Sequence, residues 1–468
     1  MTARDDMLND FGERMIRPIL RSVASWRPGA YARDGARIFG WLLLRAAAQA
    51  ASVLLLARWL GAGGYGAFVA ALAIASFFTP LAGLGLGGVL LVRGARTPAQ
   101  ISVLQRRATA AWAVANAVVV PLALLALATS LPDAQPLWAL ALLVTAEVAA
   151  ASWVELCARC AQTRQQPHRF GAIQAGLPLA RLAALLAVLP WAAPTPAAWM
   201  SAYAAASLLY AAALALMARQ PESMVGPDAA LPTTPALVRE GLPFAGGAVA
   251  MRLQAEFNKP VLAHLSFAQA GAFAVAQRVI DVATLPLLAL QEALWPRLFA
   301  ADAPNARLVR TGALLLLLAL AAGLMLALAA PLLPALLGAD YAAAADALVL
   351  LALLPAVQLV RNLGNAWLIA NVSNAALYVV YAASAAAGVL LALLLVPRWG
   401  LDGAVGAMYG SEGMAIAVAG IVAIFHRKKT HKIFAANSTD SANAFCLLQS
   451  RKTEKEECQI NSTYNNRN

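Results

Sequence analysis

Charge is scarce in this chain. Only 12% of its 468 residues are Asp, Glu, Lys or Arg, while 61% are hydrophobic. A soluble protein of this length carries roughly twice that charged fraction, so a water-soluble globular enzyme is excluded. Histidine occurs at four positions, His168, His264, His426 and His431, which do not cluster. Cysteine also occurs four times, and the CxxC of Cys157 and Cys160 has no second pair or nearby histidines to complete a metal site. We read that CxxC as incidental and expect no metal or cofactor. One lysine, Lys259, precedes His426. Long polar loops between the apolar runs are missing too, which leaves little room for a catalytic domain outside the bilayer.

What is present is a sequence of apolar runs. At about 20 residues per crossing, twelve helices are predicted, near 38–60, 64–92, 108–130, 136–158, 171–192, 196–218, 243–265, 271–293, 309–331, 345–367, 373–396 and 402–425. The fold class is therefore an all-α polytopic membrane protein. Of the 35 Lys and Arg residues, 27 fall on one side of these runs, one on the other and seven inside them. The cation-rich side is expected to be the cytoplasm, and an even count of crossings puts both termini there. The net charge of +12 then reflects topology and anionic headgroups rather than nucleic acid.

The flanks differ from the spans. Residues 1–37 form a basic leader with Met7, Leu8, Phe11, Met15 and Ile19 at helical spacing, which fits an amphipathic helix on the cytoplasmic face. No cleavable signal is expected, since the first long apolar stretch begins near Ile38 after seven arginines. From His426 onward, residues 426–468 turn to Lys, Asn, Ser and Thr and are expected to be a disordered cytoplasmic tail.

Gly66-Ala67-Phe68 opens the second run and Gly271-Ala272-Phe273 the eighth, with Pro80 and Pro286 following at similar distances. This repeat implies an N-terminal six-helix bundle at 38–218, a linker at 219–242 and a C-terminal six-helix bundle at 243–425. Six helices per half gives a parallel repeat. Gly61, Gly63 and Gly66 match GxGxxG in letters only; no strand precedes them, so the dinucleotide reading fails and a tight turn between spans fits instead.

The intramembrane charges carry the functional signal, because ions in lipid are costly and face protein-lined cavities. Arg252 and Glu256 share one helical face, and Lys259 follows just before Pro260. Arg278 and Asp281 are three apart, Arg181 follows Pro178, and Glu147 and Glu412 read as isolated carboxylates. Gln358, Arg361, Asn362 and Asn365 form a polar stripe. Arg45 and Arg58 read as snorkelling to an interface, Glu155 as a partner of Arg159, and Arg278–Asp281 as an internal pair. Arg181, Arg252, Lys259 and Arg361 lie deeper, and a cavity with surplus positive charge attracts an anion. A guanidinium fork suits a diphosphate. Asn362, Asn365, Gln358 and Gln254 can hydrogen-bond sugar hydroxyls, and Trp153 offers a ring face; tryptophan also gathers at membrane interfaces for its own reasons.

With these features in place, LLLARWLGAGGYGAFVAALAI at 54–74 and GAFAVAQRVIDVATLPLLALQEALWPRLF at 271–299 resemble the Wzx-type oligosaccharide flippases of the multidrug/oligosaccharidyl-lipid/polysaccharide exporter superfamily. The likeness covers about residues 36–426. It implies a transporter rather than an enzyme, in a bacterial cell inner membrane, that moves a polyprenyl-diphosphate-linked oligosaccharide from the cytoplasmic to the periplasmic leaflet for surface or exopolysaccharide biosynthesis. It also implies a proton or sodium gradient as the drive, and a polysaccharide polymerase and chain-length regulator as protein partners. On that reading Arg181, Arg252, Lys259 and Arg361 hold the diphosphate, while Glu256, Asp281, Glu147 and Glu412 are the ion-coupling carboxylates. One departure stands out: Asn258 precedes Lys259 where relatives often carry an acid. The competing readings are a cation-coupled drug antiporter of the same superfamily, a membrane polysaccharide polymerase or ligase, and a non-transporting scaffold.

Overall fold

Glycine and proline set the turns and breaks of an all-helical chain. The structure, a computed structural model, describes residues 30–97, 100–131, 135–217, 233–298, 305–372 and 374–465. Helix α1 (Ala30–Ala82) breaks at Gly61, whose φ of 67° and ψ of 174° are not helical. Glycine takes that left-handed φ without a side-chain clash, so the first two predicted spans meet there. A second sharp turn uses Leu84 (φ 50°) and Gly85 (φ 62°) before α2 (Leu86–Arg96).

Helix α3 (Ile101–Ser130) follows. The fourth span is α4 (Leu137–Val144), a π turn over Thr145–Ala150, and α5 (Ala151–Thr163). Helices α6 (Pro167–Val188) and α7 (Pro196–Met217) complete the N-terminal set. The seventh span is split into α8 (Thr234–Glu256) and α9 (Asn258–Leu265). Pro260 explains the split: its ring clashes with the carbonyl four residues earlier, at Glu256, and it offers no N–H to bond there. The break therefore falls one turn before the proline.

Next come α10 (Phe267–Leu298) and α11 (Asn305–Ala329), then the short α12 (Leu332–Leu337). The tenth span joins α13 (Ala342–Leu350) to α14 (Leu354–Asn371) through a 3-10 turn at Leu351–Leu353. Helix α15 (Asn374–Asn465) turns at Gly400 (φ 53°, ψ −123°). Its helical backbone continues through the tail expected to be disordered; no glycine or proline occurs after His426 to stop it. The tail side chains and the leader helix lie outside the described residues.

Among the described residues, nine helical segments are long and apolar enough to cross a membrane. Two of them, Phe39–Arg96 with 58 residues and Ala375–His426 with 52, are long enough for two crossings each. With those counted twice and the charged α8–α9 span added, the twelve predicted crossings are all present. Side chains such as Leu209, Leu317 and Leu328 stand exposed on these helices, as lipid-facing residues do.

The chain divides into two compact units. The first comprises Met1–Val249, Ser266–Gly271 and Leu336–Asp340; the second comprises Ala250–Leu265, Ala272–Ala335 and Tyr341–Asn468. The division falls at Val249, beyond the expected linker at 219–242, because the start of α8 packs tightly on the Leu84–Gly85 turn. A β-carbon on Gly85 would stand 2.1 Å from the Gly241 carbonyl oxygen, and one on Gly241 would stand 2.1 Å from that of Leu84.

The first unit's core includes an aromatic trio, with Phe68 5.6 Å from Tyr203 and 6.0 Å from Trp199 between ring centroids. Edge-to-face aromatic contacts of this kind add about 0.5–1.5 kcal/mol beyond burial. Gly66 and Gly271, equivalent positions of the internal repeat, lie against each other's helices: a β-carbon on Gly66 would meet the Phe267 carbonyl oxygen at 1.7 Å, and one on Gly271 the Ala62 carbonyl oxygen at 2.2 Å. In the second unit, Phe273 and Ile280 are fully buried.

Candidate functional site: paired charges inside each unit

The π turn of the fourth span puts Glu147 at the interior of the first unit. One extra residue in the turn shifts the face that the helix presents, and the Thr79 hydroxyl donates to the Glu147 carbonyl at 2.9 Å. The Glu147 carboxylate accepts from Arg181 Nη2 at 3.1 Å and from the Tyr203 hydroxyl at 2.6 Å. Arg181 also donates Nε–H to Ser207 Oγ at 2.9 Å, and its guanidinium carbon lies 3.9 Å from the centre of the Tyr203 ring. Four side chains from three spans thus hold one carboxylate and one guanidinium in a fixed geometry.

The second unit holds three more pairs. Lys259 Nζ donates to Glu256 Oε2 across the break between α8 and α9. Arg278 and Asp281 lie 3.6 Å apart and are more than a third exposed. Arg361 Nη1 donates to Glu412 Oε1 at 2.9 Å, and its Nη2 to Asn362 Oδ1 at 3.3 Å. Gln358 lies beside Glu412. Buried polar atoms without a hydrogen-bond partner gather in this unit: Glu412 Oε2, Arg361 Nε, Asn365 Oδ1, Asn258 Oδ1 and Gln254 Nε2. The Gln254 backbone packs near Gly388 and Ser411: a β-carbon on Gly388 would lie 3.9 Å from Gln254 Cα and 3.2 Å from Ser411 Cβ.

The structure therefore places the sequence-predicted site residues as follows. Arg181, Lys259 and Arg361 each have a carboxylate mate, and the mates are the expected coupling acids Glu147, Glu256 and Glu412. Glu147 and Glu412 are not isolated as the sequence suggested; their partners come from other spans, which sequence spacing cannot show. Arg252 is exposed and within electrostatic reach of Glu256, but the direct partner of Glu256 is Lys259. Gln358 and Asn362 gather with Arg361 and Glu412; Asn365 is buried about one turn further along the same helix. Trp153 does not join them: it packs in the core of the first unit, 5.1 Å from Trp112 between ring centroids.

Just beyond the spans predicted at 64–92 and 243–265, the Arg93 guanidinium meets Glu240. The hydrogen bond from Arg93 holds the Glu240 carboxyl below its ordinary value. Cys157 and Cys160 are free thiols in the apolar core. Among the described residues, no three His, Cys, Asp or Glu side chains gather to hold a metal ion.

The fold is shared with solved transporters. The chain is similar to a structure described as lipid II flippase MurJ in an inward closed conformation, with a TM-score of 0.67 at 10% identity over 82% of this chain and 86% of that one. It is also similar to an inward-facing multidrug resistance MATE family transporter of the MOP superfamily, with a TM-score of 0.59 at 14% identity over 83% of this chain and 97% of that one. A third, described as the MATE multidrug transporter DinF-BH, has a TM-score of 0.58 at 14% identity over 83% and 93% of the two chains. No curated protein matches the sequence. The family described as polysaccharide biosynthesis protein matches residues 39–301, more than half of the chain. This multi-pass membrane chain belongs to the polysaccharide biosynthesis protein family.

Proposed function

We propose that the protein is a flippase, not an enzyme, and that it moves a polyprenyl-diphosphate-linked oligosaccharide from the cytoplasmic to the periplasmic leaflet of a bacterial inner membrane. The observation that carries this reading is the set of interior guanidinium–carboxylate and ammonium–carboxylate pairs in a polysaccharide biosynthesis family member. Sugars and diphosphate cannot cross hydrocarbon unaided. A polar interior that receives the head group while the lipid tail stays in the bilayer removes most of that barrier.

The pairing suggests how an ion gradient drives the step. Diphosphate is the stronger bidentate partner for Arg181 and Arg361, but each arginine is held by a carboxylate. When Glu147 or Glu412 takes up a proton, or a sodium ion sits on it, the arginine is released to the diphosphate. Ion and substrate binding are then reciprocally linked. Lys259 and Glu256 follow the same logic, with Asp281 and Arg278 as an outlying pair and Arg252 as a standing cation. One elementary charge moved across 100 mV is worth about 2.3 kcal/mol, the scale of work that each coupled ion contributes to the cycle. Gln358, Asn362, Asn365 and Gln254 line the path of the sugars, and a polymerase and chain-length regulator receive the product.

The test is made in the native cell. Disrupting the chain is expected to abolish a surface or secreted glycan and to leave its lipid-linked precursor on the cytoplasmic leaflet. Restoring the native chain, but not Arg361→Ala at equal abundance, should reverse both. Intact surface glycan without the protein would refute the reading. It would move attention to the multidrug antiporter alternative, for which efflux of organic cations is the readout.

A further inference from the structure

The two interior arginine–carboxylate pairs are completed to different degrees. In the first unit, the Glu147 carboxylate accepts from Arg181 and Tyr203, and Ser207 takes the Arg181 Nε–H. No side-chain atom of that pair is buried without a partner. In the second unit, Arg361 on α14 gives Nη1 to Glu412 Oε1 at 2.9 Å and makes only a long 3.3 Å contact from Nη2 to Asn362. Its Nε–H and the other carboxylate oxygen, Glu412 Oε2 on α15, are both buried and unpartnered. One ion pair thus carries an unpartnered donor and an unpartnered acceptor. Each is two covalent bonds from the atoms that form the 2.9 Å hydrogen bond, so both fall within the span of one sugar ring.

A buried polar atom without a partner is costly, and here two sit on one pair. The place is reachable: the Glu412 side chain is 3% exposed but that of Arg361 is 22% exposed, and Gln358 and Asn362 on the same helix are partly exposed. The signs of the two atoms decide what fits. A phosphate or carboxylate has acceptors only; it would satisfy Nε–H and set a second negative charge beside Oε2. An ammonium has donors only and would face a guanidinium. A hydroxyl both donates and accepts, so it answers both atoms and brings no charge. Gln358 and Asn362 extend that preference, because an amide also offers both. The two charges of the closed pair offset each other, so the pair has no net charge with which to draw an anion.

We propose that the closed Arg361–Glu412 pair is a specificity element that reads the hydroxyl groups of an uncharged sugar and rejects an acidic one. The inference rests on the flippase reading and adds to it the class of sugar: the glycan carries a neutral, hydroxyl-bearing ring where it meets the second unit. Glu412 acts both by attracting a hydroxyl and by repelling a carboxylate, the two routes by which binding discriminates. Hydroxyl reading belongs to the closed pair; release of Arg361 to the diphosphate follows only when Glu412 takes up its ion.

The experiment measures binding by the full chain in nanodiscs to three probes that share one polyprenyl diphosphate: sugar-free, glucosyl and glucuronosyl. The native chain is expected to bind the glucosyl probe about tenfold more tightly than the sugar-free one, as for one added hydrogen bond to a charged group. The glucuronosyl probe should bind no more tightly than the sugar-free one. Glu412→Gln keeps the shape and removes the charge, and should shift the preference toward the glucuronosyl probe by about tenfold. A pair that serves only structure would lose stability in that variant and leave the order of the probes unchanged. Should the variant fold poorly, Gln358→Glu adds a carboxylate at a partly exposed position and should weaken glucuronosyl binding about tenfold below native. Equal native affinity for the glucosyl and sugar-free probes would mean that water alone answers the two atoms, and overturns the proposal. So does tighter native binding of the glucuronosyl probe than of the glucosyl one, or an unchanged order in folded Glu412→Gln. Native protein that binds none of the three refutes the flippase reading itself, and this site with it.

Discussion

Arg361 and Glu412, 51 positions apart, meet through a 2.9 Å hydrogen bond, and the Glu412 side chain is only 3% exposed. The pair is half satisfied: Glu412 Oε2 and Arg361 Nε have no partner. Removing one member of such a buried pair strands the other charge, which costs about 3–5 kcal/mol, whereas replacing both by apolar groups is often neutral. Glu412→Ala is therefore expected to lower the thermal midpoint strongly, and Arg361→Met with Glu412→Leu to recover most of the loss. Thermal unfolding in one detergent checks this. Equal midpoints for the single and double variants would mean that the pair is not a coupled unit.

Tyr203 serves Glu147 and Arg181 by different parts of its side chain. Tyr203→Phe removes the 2.6 Å hydroxyl contact to Glu147 and keeps the ring 3.9 Å from the guanidinium. The expected loss is about 1.5–3 kcal/mol, as for a hydrogen bond to a charged group. Tyr203→Leu also removes the ring and should cost more, by about 0.5–2 kcal/mol. Chemical unfolding of the two variants gives the order; a smaller effect for leucine would contradict it.

The Arg93–Glu240 pair predicts a pH dependence. An unfolded glutamate titrates near ~4.3, and Arg93 holds the folded Glu240 below its ordinary value. The folded state thus favours the carboxylate. Its contribution is complete above the unfolded value and is lost as pH falls through the folded one. Because the two side chains are 37% and 42% exposed, the contribution should stay under about 1 kcal/mol and shrink in salt. Glu240→Gln should flatten that part of the midpoint-versus-pH curve below about pH 4.3, and an unaltered curve would show that the pair contributes nothing.

Gly66 has no room for a methyl group. A β-carbon there would stand 1.7 Å from the Phe267 carbonyl oxygen, so Gly66→Ala forces two backbones apart and should reduce folded yield sharply. Gly246, inside α8 with nothing within 4 Å of a β-carbon, is the control: Gly246→Ala should be neutral or stabilising by up to about 1 kcal/mol. Fluorescence-detected size exclusion compares them. Equal behaviour would contradict the close approach at Gly66.

The crossings were legible because a bilayer imposes its thickness on the sequence, and Gly61 and Gly400 mark turns by a conformation that other residues resist. Arg278–Asp281 was legible as a spacing on one helix; for Glu256 the spacing pointed to Arg252, whereas its direct partner is Lys259, across the break that Pro260 causes. Glu147 with Arg181 and Glu412 with Arg361 were not legible, since helical periodicity gives the face of one helix and not which neighbour it meets. The π turn that sets Glu147 in place also left no mark in the sequence, because Thr145–Ala150 reads as an ordinary helix. Pro260 did foretell a disturbance, and chain geometry explains why it appears at Phe257.

The most direct test of the flippase account is translocation in proteoliposomes. A polyprenyl-diphosphate oligosaccharide is placed in the outer leaflet, and its protection from an impermeant glycosidase is followed with and without a proton or sodium gradient. The account predicts protein-dependent protection that a gradient accelerates and that Arg361→Ala abolishes in folded protein. Protein-independent protection, or none in folded native protein under any gradient, would contradict it.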